Sequence, residues 1–381
     1  MNFFRSFVPK FLLGVFFAAG AGCGSGDEGG DFNAGCTAHA ARDFRKAAQI
    51  FEKCVEREPG NVSALVYLAS SKLELNDLKG AGETLSKAAE LAGGDVDVRM
   101  LEAQIAAKMK DYDRAVGIFA EIAENGALEP AVRSQAYSGL GVAEAHRDNR
   151  DLARIAFMKA IRINNRNATA LYNLALLYRD QFSYLEAAYD NFDMFVRLEQ
   201  PEDARVQRVR NSMMPELKES IARSVSERPG VDKRNSAVSA AAISKAESAM
   251  KAKTYKTARL RYTEALSADP LSYPAAVGLA QAWLASDKTV NGRKKAHANY
   301  KLACKLRPSH VSTFLRTGEL ASSLGLYASA VDSYSRALAA NPASLDAIDG
   351  LVRALNNVDK RKTARAYQIY RDMVHSSRRK D

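Results

Sequence analysis

Three stretches of this chain repeat one pattern: FRKAAQIFEKC at residues 44–54, LKGAGETLSKA at 78–88 and YDRAVGIFAEI at 112–122. The alanine at the fourth position of each stretch recurs every thirty-four residues, with a large residue three positions before it and another four positions after it. This spacing places the small and large side chains on one helical face that recurs. A fixed period of this length predicts a solenoid of stacked helix pairs rather than one compact core.

The alanine register extends along most of the chain. Its members are Ala47, Ala81, Ala115, Ala153, Ala187, Ala258, Ala296, Ala330 and Ala366. The interval from Ala187 to Ala258 is 71 residues, close to two periods, which predicts one divergent unit between them. A proline follows several of the second helices, where a residue without an N–H ends the helix.

Three longer stretches share a fuller order of small and large residues. They are YKTARLRYTEALSADP at residues 255–270, the segment from Leu171 to Met194, and LGLYASAVDSYSRALAANP at residues 324–342. This order resembles the tetratricopeptide repeat, and the resemblance covers about residues 34 to 375. It implies an all-α, right-handed superhelical solenoid of about nine to ten helix-turn-helix pairs, in which small residues let two helices approach closely.

Breaks in the repeat divide the chain into segments. Pro215 separates two apolar stripes, which predicts two helices, and Arg228-Pro229-Gly230 predicts a chain break. We therefore predict a signal peptide at 1–22, a flexible tether at 23–33, a first, acidic array at 34–200, a divergent helix pair or hinge at 201–236, a second, basic array at 237–376 and a basic tail at 377–381.

The first residues have the composition of an export signal. Arg5 and Lys10 precede an apolar run, residues 11–19, that is too short to span a bilayer. Small residues then lead to Cys23, as in a bacterial lipoprotein signal, which this segment resembles. The resemblance implies that Cys23 is lipidated, and the absence of a following aspartate favours the outer membrane. The alternative is a cut after Ala21 that releases a soluble exported protein.

Residues that could carry chemistry are scattered. No two of the five histidines lie three or four residues apart, and no phosphate-binding loop, nucleophile elbow or metal-ligand cluster is present in the sequence. We therefore expect no enzymatic activity, no cofactor and no metal site. Cys36 and Cys54 lie on the two helices of the first unit, where they could form a disulfide or remain two reduced thiols, and Cys304 is expected in the core.

The two halves of the chain have opposite charge. Residues 24–200 hold 21 Lys and Arg against 27 Asp and Glu, whereas residues 201–381 hold 32 against 17. One hypothesis is that the basic half binds an acidic protein, an anionic envelope polymer or anionic lipid headgroups, and the other is a solvated surface. We expect no nucleic-acid partner, because the basic stretches lack interleaved aromatics. The candidate residues are Arg293, Lys294, Lys295, Lys360, Arg361 and Lys362.

The resemblance also implies a position for the binding surface. In tetratricopeptide arrays the concave groove, lined by the first helix of each pair, is the usual peptide site. Tyr172 and Arg179 are the strongest candidates, because aromatic and Arg side chains carry much of the energy of interfaces. The full set of groove candidates is Gln135, Val142, His146, Thr169, Tyr172, Leu176, Arg179 and Asp180.

These observations predict a non-enzymatic, lipid-anchored scaffold of the bacterial envelope. Such a protein would hold a protein or peptide in its groove, as pilus-assembly and outer-membrane-assembly lipoproteins of this repeat class do. A module that binds an envelope polymer through the basic array is one alternative. An accessory subunit of a cell-wall enzyme is another.

Overall fold

The computed structural model describes residues 28–226 and 234–377, and every regular element in these two ranges is a helix. Sixteen of the described helices pack as eight consecutive pairs, four before residue 164 and four after residue 234, which confirms the prediction of an all-α repeat. In chain order, α1 to α20 are Glu28–Ala40, Phe44–Arg57, Val62–Glu74, Leu78–Ala92, Val96–Lys108, Tyr112–Glu124, Pro130–His146, Arg150–Ile163, Ala168–Leu177, Leu185–Leu198, Ala204–Arg208, Met214–Ser226, Ser236–Lys251, Tyr255–Ala268, Tyr273–Ser286, Val290–Leu306, Val311–Ser323, Tyr327–Ala340, Leu345–Asn357 and Arg361–Ser377.

Several sequence predictions fall outside the described residues. They are the signal peptide, the lipidated cysteine, the first part of the tether, the predicted break at residues 228–230 and all but the first residue of the basic tail. Among the described helices, none is both long enough and apolar enough to cross a bilayer.

A repeated turn starts the second helix of each of the first three pairs. Asp43, Asp77 and Asp111 precede α2, α4 and α6, and each carboxylate accepts a hydrogen bond from the backbone N–H three residues later. The residue before each aspartate has a positive φ between 62° and 67°, a conformation that costs a non-glycine residue about 1–2 kcal/mol. The residues before these three aspartates are Arg42, Asn76 and Lys110.

The alanine register forms the seam between packed helices. Ala47, Ala81, Ala115 and their counterparts up to Ala330 are buried, because a methyl group lets two helix backbones come close. The assignment of Ala366 to this seam is wrong. In α20 the buried positions start at Ala364, thirty-four residues after Ala330, whereas Ala366 is only half-buried.

Glycines on the first helices seat aromatic rings from the second helices. Tyr334 on α18 packs against Gly318 on α17 and against Gly350 on α19. A Cβ atom added at these glycines would lie 2.8 Å and 2.3 Å from the Tyr334 ring. Real Cβ atoms do not approach a ring so closely. α17 and α19 can therefore pack against Tyr334 of α18 only because each has a glycine at the contact.

The first helix is longer than predicted. α1 begins at Glu28, so residues 28–33 of the predicted tether are helical. Phe32 packs edge-on against Phe51 and Tyr67, with ring centroids 5.6 and 5.7 Å apart. Gly35 does not break α1, because it faces the Phe51 ring at a distance that leaves no room for a Cβ atom. Burial of the Phe32 ring stabilises a helix of low intrinsic propensity.

The described residues 204–226 of the divergent segment form one helical run, whereas the sequence predicted two helices separated at Pro215. α11 continues through a π-helical turn, Val209–Met213, into α12 without leaving helical dihedral angles. The turn lies directly before Pro215, whose ring and missing N–H disturb the normal bonding of an α-helix. Val206, Val209 and Leu217 keep one buried stripe along this run, so the sequence pattern of two helices reflects one helix with a widened turn.

The described chain forms two compact units that divide between Asn173 and Leu174. This division lies inside α9, whereas the sequence placed the boundary at residues 201–236. The single helical run α11–α12 therefore belongs to the second unit. A second π-helical turn, Tyr178–Phe182, ends α9 at the start of that unit.

Candidate functional site

The groove candidates on α7 are not equally available. Gln135 is exposed, but Val142 is 1% exposed and cannot contact a partner, so its assignment to the groove is wrong. Val142 follows Gly141, which packs against the Phe157 ring, and this contact turns the neighbouring positions into the core. His146 is half-buried and stacks on Tyr112, and burial lowers the pKa of its imidazole.

The candidates on α9 are divided in the same way. Thr169 and Tyr172 are half-buried, whereas Leu176 is 8% exposed and belongs to the core. All residues from 173 to 178 are buried, so this part of α9 has no solvent-facing side. The sequence suggested a one-sided helix, but α9 is apolar on nearly all sides and is packed accordingly.

Arg179 and Asp180 lie in the π-helical turn after α9. The Arg179 guanidinium donates two hydrogen bonds to the neighbouring carboxylate, at 2.5 and 2.9 Å. A ligand of Arg179 would therefore compete with Asp180. Of the eight groove candidates, Gln135, Thr169 and Tyr172 are the ones in the first unit that keep both exposure and the side chains suited to binding a peptide.

The second unit contains a cavity that the sequence did not indicate. It has a volume of about 400 Å³ and lies between the start of α10, the end of α12 and the helices α16, α17 and α18. Residues near 185 and near 305–336 meet here although more than a hundred positions separate them in the chain. The apolar lining residues are Leu185, Pro308 and Phe314, the basic ones are Lys301, Lys305 and Arg336, and the acidic ones are Glu186 and Asp332.

Arg336 is held at the edge of this cavity by two contacts. Its Nε donates to both carboxylate oxygens of Asp332 at 3.1 Å, and its guanidinium carbon lies 4.7 Å from the ring centroid of Tyr184. The ion pair and the cation–π contact together fix the planar guanidinium. Tyr184 directly precedes α10, so Arg336 links the two sides of the cavity.

Cys304 lines the cavity as a protonated thiol, which is a poor nucleophile. Thr317 donates its hydroxyl to the Thr313 carbonyl at 2.7 Å, so the Cys304 thiol donates to Thr317 Oγ1 at 3.2 Å. Burial raises the pKa of Cys304 to about 11, which keeps it a thiol at neutral pH. This agrees with its expected place in the core.

The other cysteines and the acidic and imidazole groups bear on the questions of a disulfide and of a metal site. Cys36 and Cys54, the pair for which the sequence leaves a disulfide or two thiols open, are both half-buried and are drawn without a bond between them. Within residues 28–226 and 234–377, no group of three or more histidine, cysteine, aspartate or glutamate side chains is arranged to hold a metal ion.

The basic candidates lie on two helices of the second unit. α16 carries five lysine and arginine residues and no acidic residue, and Lys294 and Lys295 are exposed. Lys295 Nζ lies 4.4 Å from the centroid of the Trp283 ring, and the Arg259 guanidinium lies 3.8 Å from it. Lys360, Arg361 and Lys362 are also exposed, at the start of α20, where Arg361 pairs with Asp359 at 3.5 Å.

The repeat has a match among known families. Residues 38–105 match the family model of the tetratricopeptide repeat. The matched segment runs from the end of α1 into α5 and contains the first members of the alanine register. The match shows a tetratricopeptide-repeat segment over these residues, and packed helix pairs recur after it in the described chain.

Several solved structures are similar to parts of the chain. A tetratricopeptide-repeat protein of Thermus thermophilus is 17% identical, with a TM-score of 0.44 over 49% of this chain and 98% of that chain. The pilF protein of Pseudomonas aeruginosa is 19% identical, with a TM-score of 0.41 over 53% of this chain and 92% of that chain. The C-terminal part of a repeat protein of Cytophaga hutchinsonii is 14% identical, with a TM-score of 0.32 over 84% and 99%. At these scores the likenesses do not bear on function. Comparison with curated protein sequences finds no match.

Proposed function

We propose that this protein is a non-enzymatic scaffold or adaptor of the bacterial cell envelope that binds a protein or peptide partner. The observation that carries the proposal is the run of helix pairs of the tetratricopeptide type, which offers extended side-chain surfaces. Solenoids of this kind use such surfaces for binding. The first-helix surface of the first unit, formed by Gln135, Thr169 and Tyr172, is the proposed contact.

Tyr172 is the proposed anchor of this surface. Its ring is half-buried on α9, so a partner gains apolar contact area with little loss of side-chain freedom. Thr169 lies three residues before Tyr172 on α9, and the exposed Gln135 on α7 is the proposed polar contact of the preceding first helix, since both side chains can form hydrogen bonds. The surface can therefore hold a peptide without a charged clamp.

Crosslinking in cells tests this contact. A tagged chain is crosslinked with formaldehyde, purified and analysed by mass spectrometry. We expect a defined protein partner, with recovery reduced at least tenfold by Tyr172→Ala and little changed by Tyr255→Ala, which removes a half-buried tyrosine from the start of α14. Equal recovery with both variants would remove the groove from the proposal, provided that both retain wild-type helicity.

The proposed location depends on Cys23. A lipid on this cysteine would tether the helical repeat to a membrane, and we favour the outer membrane. Labelling of cells with an alkyne fatty acid should mark the wild-type chain and leave Cys23→Ala unmarked and released from the membrane fraction. Absence of label from the wild type would leave a soluble exported adaptor.

The basic helix α16 favours a second candidate function. Lys294 and Lys295 face solvent, and the helix has no acidic residue to neutralise them. Such a surface could hold an anionic envelope polymer. Binding of polygalacturonate should then weaken steeply as the salt concentration rises, and also in the double variant Lys294→Glu, Lys295→Glu. Binding that changes with neither salt nor the double substitution would contradict this function.

A further inference from the structure

The cavity of the second unit has the features of a second binding site. We propose that it binds a short acidic peptide segment, with a peptide carboxylate on Arg336 and Lys301 and an apolar side chain against Leu185 and Pro308. This site is distinct from the proposed groove, because the groove is formed by first helices and the cavity walls come mainly from the second helices α10, α16 and α18. Its volume of about 400 Å³ falls within the range of pockets that hold small ligands.

Arg336 presents unused donors to the cavity. Its Nε is engaged by Asp332, but no hydrogen bond of its two terminal nitrogens is found within the described residues. The side chain is 34% exposed and its plane is fixed by Tyr184. A guanidinium with a fixed plane and terminal N–H groups that make no hydrogen bond within the described residues is suited to a carboxylate, which can accept two bonds at once.

The charges around Arg336 also favour an acidic ligand. Asp332 is already neutralised by Arg336, which leaves Glu186 as the other carboxylate of the lining. Lys301 and Lys305 project from α16, which has no acidic residue. Lys301 is exposed and makes no ion pair among the described residues. The cavity therefore has an excess of positive charge that a peptide carboxylate would offset.

The apolar lining residues favour an acidic peptide over other anionic ligands. Leu185 and Pro308 are half-buried at the cavity, and the buried Phe314 is a further apolar lining residue. A peptide can place an apolar side chain here and a carboxylate on Arg336. A polysaccharide has no such side chain, and the headgroups of a flat membrane cannot enter a recess lined by five helices.

Fluorescence anisotropy with the full-length chain tests the proposal. The probe is a fluorescein-labelled Glu-Leu-Glu-Leu-Glu peptide, and its Gln-Leu-Gln-Leu-Gln counterpart is the control probe. We expect the acidic peptide to bind at least tenfold more tightly than the neutral one at low salt. Equal binding of the two probes would overturn the proposal.

A pair of matched variants localises the binding. Lys301→Glu and Lys294→Glu make the same charge change at exposed positions of α16, about 10 Å apart along the helix axis. Lys301→Glu should weaken the acidic probe at least tenfold, and Lys294→Glu, which lies outside the cavity lining, less than twofold. Arg336→Gln should also weaken it at least tenfold, with retained helicity checked by circular dichroism. Equal weakening by both lysine variants would replace the cavity with general attraction to a basic surface.

Competition distinguishes the other anions. Neither polygalacturonate nor phosphatidylglycerol vesicles should displace the peptide at charge concentrations that the unlabelled acidic peptide needs. Displacement by either would overturn the peptide assignment in favour of that anion. Because this test uses α16 and α18, its failure leaves the Tyr172 crosslinking result and the proposed scaffold function untouched.

Discussion

Two junctions between the helices of one pair, α7–α8 in the first unit and α13–α14 in the second, share one hydrogen bond and differ in the contacts beside it. In the first unit, Ser134 on α7 donates to the Ala160 carbonyl at 2.8 Å. In the second, Ser239 on α13 donates to the Ala265 carbonyl at 2.9 Å. Both bonds span 26 residues and both serines are buried, so the repeat keeps this contact in distant parts of the chain.

Beside the serine the junctions diverge. In the first unit, the buried Asn167 amide donates to the Ser134 carbonyl, to Ser134 Oγ and to Ser138 Oγ, at 2.8 to 3.2 Å. In the second unit, Arg234 Nε donates to Asp269 at 2.9 Å, with the Arg234 side chain 47% exposed. One junction uses a neutral network shielded from water, and the other uses an ion pair that solvent can screen.

The largest effect is expected for Asn167→Ala. It removes the buried bonds and also the carbonyl that accepts the Ala170 N–H at the start of α9, so the free energy of unfolding should fall by about 3 kcal/mol. Asn61→Ala is the control, since Asn61 caps α3 through a single bond to Ala64 and should cost about 1 kcal/mol. Urea unfolding of both variants measures the difference. Equal losses would show that the buried network adds no stability.

The shared serine is expected to matter more in the first unit. Ser134→Ala loses the bond to Ala160 and leaves the Asn167 amide without one acceptor, so it should cost about 2 kcal/mol. Ser239→Ala loses one bond and should cost about 1 kcal/mol. The same urea titration compares the two substitutions. A larger loss for Ser239→Ala would contradict the contrast between the junctions.

The turns within the helix pairs extend the comparison. Lys110 in the first unit and Gly325 in the second both have positive φ, at 67° and 72°. Lys110→Gly should relieve strain and raise the free energy of unfolding by up to about 1 kcal/mol, whereas Gly325→Ala should lower it by about 1 kcal/mol. Thermal unfolding of both variants provides the measurement. A loss for Lys110→Gly would mean that its side chain contributes more than its backbone costs.

The smallest effect is expected for Arg234→Ala. The ion pair with Asp269 is partly exposed, so the substitution should lower the unfolding temperature slightly at low salt and not at all at high salt. Asn167→Ala should show no such salt dependence, since its network is uncharged. A salt-independent loss for Arg234→Ala would mean that the guanidinium acts through packing rather than charge.

The repeat was predictable because its signal is local. Apart from one interval of 71 residues, the buried alanines from Ala47 to Ala330 recur every 34 or 38 residues, and this recurrence indicates stacked helix pairs. The error at Ala366 arose because neighbouring alanines differ only in which side of α20 they occupy, and Ala364 holds the seam. The helical run through Pro215 was missed because a π-helical turn leaves no mark in composition.

The site was less predictable than the fold. Val142 and Leu176 were assigned to a groove because they lie on first helices, but burial depends on neighbours that a single helix does not reveal. The cavity at Arg336 brings together residues from α10 and α18 through the path of the whole second unit. A local sequence pattern cannot predict contacts between residues so far apart in the chain.

Trp283 is the single tryptophan of the chain, and it lies in the second unit between Arg259 and Lys295. Its fluorescence therefore reports on the second unit alone, while circular dichroism at 222 nm reports on helices in both. Following one unfolding transition with the two signals would show whether the units melt together or in sequence. The protein thus carries its own optical probe of cooperativity, with no label to be introduced.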